Sequence, residues 1–150
     1  MKTNRRGYTM LRGTLPEPTP STAWFWEAAA RGELHVQACD ACGGRHFPPR
    51  PFCPSCGSRD VTALRCSGRA TLHSYVINHM VPKDGDGPYA VAIVRLEEGP
   101  MMMTNIVDCP QTPEALVLDM ALEVVFDRVS DTITLAKFRP AGTAASGEAA

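Results

Sequence analysis

Polar and apolar residues alternate over Glu33-Leu34-His35-Val36-Gln37-Ala38, which predicts a short strand. Further strand patterns, rich in β-branched and aromatic residues, cover residues 61–66, 70–79, 89–96, 101–107, 121–128 and 132–139. Ser67-Gly68-Arg69 breaks the first of these from the second. Glu97-Glu98-Gly99-Pro100 reads as a hairpin turn, with Met101 and Met103 on one face of the returning strand. Residues 80–88 form a loop rich in Pro, Gly and Asp, and residues 108–120, with Pro110 and Pro113, form a second loop with one helical turn. A different period precedes the strands. Ser21 can cap a helix running from Thr22 to Arg31, and Gly32 can end it in a left-handed turn. Its consecutive Trp24, Phe25 and Trp26 cannot share one helix face, so the helix is apolar over a wide arc. That arc either docks on the chain's own ribbon or partly faces another protein.

Five short, sharply turned strands after the ribbon fit a small closed antiparallel barrel, and the break before the fourth suggests an OB-fold. Pro16, Pro18 and Pro20 keep the N-terminal segment extended, so residues 1–20 read as a mobile arm. Residues 21–60 hold the helix and a cysteine-rich ribbon, residues 61–139 the barrel, and residues 140–150, dominated by Ala, Gly and Ser, read as a disordered tail.

The ribbon carries the chemistry. Cys39-Asp40-Ala41-Cys42-Gly43 and Cys53-Pro54-Ser55-Cys56-Gly57 are two CxxC pairs across a short connection. Two residues between the thiols let both sulfurs turn to one point, and the following Gly permits the tight bend. Four thiolates around one centre suit Zn²⁺ in a closed structural site, with Cys39, Cys42, Cys53 and Cys56 as ligands and no position left for water. Iron is the rival metal, because the second pair also resembles a rubredoxin knuckle. A thioredoxin-like redox site needs one CxxC at a strand–helix junction, and disulfides are disfavoured where thiols are kept reduced. His46, beside the knuckles, could be a ligand or a phosphate contact, although four cysteines already complete a tetrahedral set.

Composition narrows the function. Of 150 residues, 44% are hydrophobic, enough for a core, and the formal net charge of -1 argues against nucleic-acid binding. No apolar run approaches the ~20 residues of a membrane span. Lys2, Arg5 and Arg6 have no apolar segment behind them, so the sequence reads as cytoplasmic, without an export signal.

The ordered set of Trp24-Phe25-Trp26-Glu27, Gly32-Glu33-Leu34, the two knuckles, Phe47-Pro48-Pro49-Arg50, Ser67-Gly68-Arg69-Ala70-Thr71-Leu72, Pro88 to Val94, Leu96-Glu97-Glu98-Gly99 and Val124-Val125-Phe126 resembles one family. These are the rubredoxin-like zinc-ribbon plus OB-fold proteins catalogued as domain of unknown function thirty-five, associated with acyl-CoA metabolism. The resemblance runs over about residues 20–139. It implies a mainly β fold: an N-terminal helix, a rubredoxin-like zinc ribbon, then a five-stranded OB-fold barrel. It also implies a non-catalytic accessory subunit of a thiolase-like enzyme acting on CoA thioesters, steroid side chains among them, often with a hydratase-like protein in the assembly. One position departs from the family pattern: Asp119 stands before Met120 where a Gly is usual, which puts the local turn geometry in question.

Arg45, Arg50, Arg59, Arg65 and Arg69 crowd the ribbon and its exit, offset nearby only by Asp40 and Asp60. If a coenzyme A thioester is shared with the partner, Arg45, Arg50 and Arg69 are the candidates for its phosphates, since guanidinium offers a planar fork. The ordinary alternative is a solvated charged face. Cys66 or Cys109 with His73 or His79 could form a nucleophilic dyad, although free cysteines are commonly buried and inert. Asp84-Gly85-Asp86-Gly87 starts like a calcium loop, but Tyr89 and Arg95 stand where Gly and Glu are required. Two other functions fit the same folds: single-strand nucleic-acid binding, for which Tyr75, Tyr89, Phe126 and Phe138 are the strand aromatics, and rubredoxin-like electron transfer.

Overall fold

The computed structural model describes residues 14–80 and 87–142. Most of the expected N-terminal arm (1–13), the inner part of the 80–88 loop (81–86) and most of the tail (143–150) lie outside the described residues. Residues 14–20 are exposed and carry no helix or strand.

Helix α1 spans Ala23–Ala30. Its N-cap is Thr22 rather than Ser21, and no side chain caps the helix N–H groups. The Thr22 hydroxyl is instead occupied outside the helix, accepting from the Thr19 N–H at 2.9 Å. At the other end Gly32 takes φ 75°, and the N–H groups of Gly32 and Glu33 donate back to the Ala29 and Ala28 carbonyls. That is the left-handed termination expected of a Gly just past a helix.

The ribbon is a three-stranded antiparallel sheet of β1 (His35–Cys39), β2 (Arg45–His46) and β3 (Val61–Arg65), in the order β2-β1-β3. The second sheet holds β4 (Arg69–Asn78), β5 (Tyr89–Leu96), β6 (Met101–Thr104), β7 (Ala121–Arg128) and β8 (Thr134–Pro140), in the order β6-β5-β4-β7-β8. The sheet curls until its ends meet. Ile106, just past β6, bridges Phe138 of β8 in parallel, with the Val107 N–H donating to the Phe138 carbonyl at 2.8 Å and the Phe138 N–H to the Asn105 carbonyl at 3.0 Å. Five antiparallel strands closed by one parallel contact is the barrel that strand count alone suggested. A bulge between Leu72 and Ser74 bends β4 and lets the sheet curl.

One core runs through both sheets. It joins Phe25 of the helix, Leu34 and Val36 of the ribbon, and Leu72, Val94, Leu96, Leu122 and Phe138 of the barrel. Helix α1 touches β1 on one side and β7 and β8 on the other. The helix docks on the ribbon as expected and on the barrel as well. Phe25 is buried, while Trp24 and Trp26 are half-buried against the same core. Phe25 meets Trp26 edge-on at 5.0 Å and Phe47 of the ribbon at 5.4 Å, contacts favoured by ring quadrupoles. Main-chain bonds extend each sheet toward the junction: the Cys66 N–H donates to the Leu34 carbonyl at 2.7 Å beside the β1–β3 ladder, and the Glu97 N–H to the Arg69 carbonyl at 3.0 Å beside the β4–β5 ladder.

Candidate metal centre

The two knuckles are built alike. The Cys39 N–H donates to the Gly44 carbonyl and the Gly43 N–H to the Cys39 carbonyl; Cys53 repeats the pattern with Ser58 and Gly57, all at 2.8–2.9 Å. Gly43 and Gly57 sit at φ 74° and 75°, a bend that L side chains resist. The result is convergence. The Sγ atoms of Cys39, Cys42, Cys53 and Cys56 all lie within 4.8 Å of one another. Cys39 to Cys56 and Cys42 to Cys53 are each 3.7 Å apart, too far for a disulfide. With Zn–S bonds of ~2.3 Å, a tetrahedron has S···S edges of ~3.8 Å, so the residues present fit the ion.

The four sulfurs differ in how readily each carries a negative charge. Desolvation opposes a thiolate at Cys53, but the N–H groups of Cys56 and Ser55, with the Cys42 and Cys39 thiols, together bring it down to about 6. At Cys56 the Ser58 N–H favours the thiolate, yet desolvation and the other three sulfurs push it up to about 12. Four negative sulfurs need a divalent cation among them.

Two residues that the sequence did not single out as supports hold the quartet in place. Gln37 is 2% exposed although it occupies the polar phase of its strand. Its Oε1 accepts from the Arg50 N–H at 2.7 Å and its Nε2 donates to the Phe52 carbonyl at 3.2 Å, fixing the connection between knuckles onto β1. His46 places Nε2 3.4 Å from the Cys53 Sγ, so it contacts a ligand instead of replacing one. No local pattern distinguishes a Gln that bonds a distant loop from one facing water; only the closeness of a proline-rich connection hinted at it.

Three of the five arginines are tied within the chain. Arg45 donates Nη1 to the Glu98 carbonyl at 3.1 Å, tying ribbon to barrel. Arg69 makes a two-pronged pair with Glu97 at 3.2 and 2.7 Å, which holds the Glu97 carboxyl below its usual range. Arg65 and Arg31 flank Glu33, which also bonds His35 at 2.9 Å and is likewise held low, chiefly by that histidine. Among the described residues the exposed Arg50 guanidinium has no side-chain partner.

The candidate dyads do not assemble. Cys66 is buried, its thiol donates to the Leu64 carbonyl at 3.8 Å, and burial with the nearby Glu98 carboxylate pushes it up to about 12. Cys109 is also raised, by burial and Asp108. His73 and His79 are exposed, and no hydrogen bond joins either to a thiol among the described residues. Phe138, one of the strand aromatics considered for stacking, is fully buried.

The domain family described as "ChsH2, rubredoxin-like zinc ribbon domain" matches residues 26–62, and "ChsH2, C-terminal OB-fold domain" matches residues 65–127. A DUF35 domain-containing scaffold protein of Methanothermobacter thermautotrophicus is 40% identical over 104 residues, 67% of this chain and 77% of that one. The chain belongs to the DUF35 family. A probable enoyl-CoA hydratase alpha subunit of Thermomonospora curvata is 34% identical over 127 residues, covering 84% of this chain. The chain spans only 39% of that relative's length. In three dimensions a chain of the "Ltp2-ChsH2(DUF35) aldolase" superposes with a TM-score of 0.75 at 34% identity, over 85% of this chain and 99% of that one. Within the DUF35 fold, Asp119 keeps the turn that its substitution for Gly put in question: it adopts φ 66°, and its N–H donates to the Leu72 carbonyl at 2.8 Å. Asp is among the few residues that tolerate this region. No helix among the described residues is long and apolar enough to cross a membrane.

Proposed function

We propose that this DUF35 chain is a non-catalytic accessory subunit of a thiolase-like enzyme acting on CoA thioesters, and that it works by holding and stabilising that enzyme. The observation that carries the reading is the end-to-end likeness to a chain of the Ltp2-ChsH2(DUF35) aldolase. The chain's own chemistry agrees. Its four-thiol centre has no open ligand position, and Cys66 and Cys109 have no histidine base beside them among the described residues. Cys39, Cys42, Cys53 and Cys56 would hold a zinc ion, which supplies rigidity where the hydrophobic core is thin. A cytoplasmic location suits a centre that needs reduced thiols.

The finer reading assigns Arg50, with Arg45 and Arg69, to the phosphates of a CoA thioester shared with the partner. Arg50 supports it best, because its guanidinium is exposed and internally unpaired among the described residues. A hydratase-like third component belongs to the same reading, by analogy with the hydratase alpha subunit of Thermomonospora curvata. The test is turnover of acyl-CoA by the chain alone, by a co-expressed thiolase homologue alone, and by the two together. The proposal expects no turnover from the chain, and a more stable or more active enzyme in its company. Turnover by the isolated chain would overturn it. For the CoA contact, Arg50→Ala should raise KM for the thioester in the complex with kcat kept; an unchanged KM removes Arg50 from that role.

A further inference from the structure

The barrel wears two different outer faces. On β7 and β8 the outward charges are satisfied within the chain, Glu123 with Arg139 at 2.8 Å and Asp127 with Lys137, and the outward Val125 and Leu135 between them are half-buried. The outward residues of β4, β5 and β6 follow from their register with the buried Ala90, Ala92, Val94 and Met102. They include Val76 opposite Val91, Ile93 opposite Met103, and Arg95 opposite Met101. Val76 is 60% and Met103 67% exposed. No acidic residue stands on this face, and Arg95 has no ion-pair partner among the described residues. Over Val91 and Ile93 the β5 strand is thus apolar on both sides, a pattern that belongs to strands covered on both faces, and Arg95 ends that run.

The other exposed apolar side chains gather at the same end. The Asp119 N–H and Met120 carbonyl bond Leu72, which brings exposed Val117 and Leu118 alongside the far half of β4, and Met80, 91% exposed, lies two residues past the end of that strand. Of the large exposed hydrophobics among the described residues, only Leu15 and Phe52 lie elsewhere. Concentration of this kind marks an interaction surface, and flexible methionines adapt well to a partner's contour.

We propose that the outer face of β4, β5 and β6, with the Val117-Leu118 tip, is where the thiolase-like enzyme docks; this rests on the accessory-subunit reading. Area decides between that occupant and a second copy. The ten residues of β4, eight of β5 and four of β6, at ~3.3 Å per residue and ~4.8 Å between strands, present about 350 Å². A persistent interface takes ~800 Å² from each partner, so two such faces pressed together fall short. A larger protein that also reaches Val117, Leu118 and Met80 supplies the missing area. Charge points the same way. A second copy brings no carboxylate on this face for Arg95, so the partner surface is apolar at its centre with an acidic group at the edge.

The test measures binding of each thiolase homologue of the source organism, co-expressed and purified, to the full chain and to three variants. Val76→Glu and Met103→Glu place a charge at exposed positions where the fold tolerates it, as thermal melting will verify. Phe52→Glu does the same on the ribbon, 44% exposed. The expected result is about a 100-fold weaker complex for the two barrel variants, as for central apolar positions of an interface, and unchanged binding for Phe52→Glu. Wild-type affinity in both barrel variants overturns the docking face and leaves the accessory role standing. Failure of the wild-type chain to bind any thiolase homologue overturns both. A dimer of the chain alone, seen by sedimentation and dissolved by Met103→Glu while enzyme binding persists, assigns the face to self-association and overturns the choice of partner.

Discussion

Replacing Gln37 by Leu tests how the ribbon is held. The substitution keeps the volume and the burial but removes both side-chain bonds, leaving the Arg50 N–H and the Phe52 carbonyl without their partner. An unsatisfied buried donor or acceptor costs about 1–3 kcal/mol, and both residues sit in an exposed loop where water can replace part of the loss. The total should therefore be about 2 kcal/mol. If metal binding and ribbon folding are one event, that energy appears in the affinity for zinc. At ~1.4 kcal/mol per decade, 2 kcal/mol weakens zinc about 30-fold. Competition against a chromogenic chelator reads the affinity, and circular dichroism during heating reads the stability. An affinity and a melting temperature equal to those of the wild type would refute the argument that Gln37 carries the connection between the knuckles.

Three other perturbations probe the frame. Gly68 sits at φ 84° with an added Cβ only 2.6 Å from the Val124 Cγ1, so Gly68→Ala should cost about 3 kcal/mol and lower the melting temperature by about 10 °C; a shift under about 2 °C contradicts it. Asp119→Val puts a β-branched residue at φ 66° and should lose about 2 kcal/mol in a denaturant titration, whereas Asp119→Gly should stay close to wild type. The Cys66 thiol is pushed up to about 12 by burial and Glu98, above its unfolded value. Its stabilising contribution is therefore complete below the unfolded pKa and is lost as pH rises through about 9 toward about 12. Iodoacetamide at about pH 8 should leave Cys66 unmodified in the folded chain, and its alkylation there, seen by mass spectrometry, would show that the thiol is neither shielded nor raised.

Much of this molecule was legible because its signals are local. The knuckles follow from two CxxC pairs with their glycines, and β5 and β7 appear at Tyr89–Leu96 and Ala121–Arg128 as their patterns predict. What was missed depends on distant groups. β2 is only Arg45 and His46, two polar residues whose strand state comes from pairing with Ala38 and Gln37. Gln37 looks like a solvent-facing residue until the loop at Arg50 folds over it. Residues 105–107 leave the pattern of β6 yet close the barrel, because Ile106 meets Phe138 from the far edge of the sheet. The arginine fringe was weighed from nearness in sequence as a phosphate-binding patch or a solvated face, and sequence did not show that Arg45, Arg65 and Arg69 are tied to Glu98, Glu33 and Glu97. The apolar outer face shows why both-sided hydrophobicity in β5 is informative: the barrel needs only one side of it.

Native mass spectrometry of the chain co-expressed with the thiolase homologues of its source organism tests the central claim most directly. The account predicts a defined complex in which every copy of this chain carries one zinc ion, with the metal retained on dilution. A chain that stays alone beside every homologue, or one recovered in the complex with its four thiols metal-free, would contradict it.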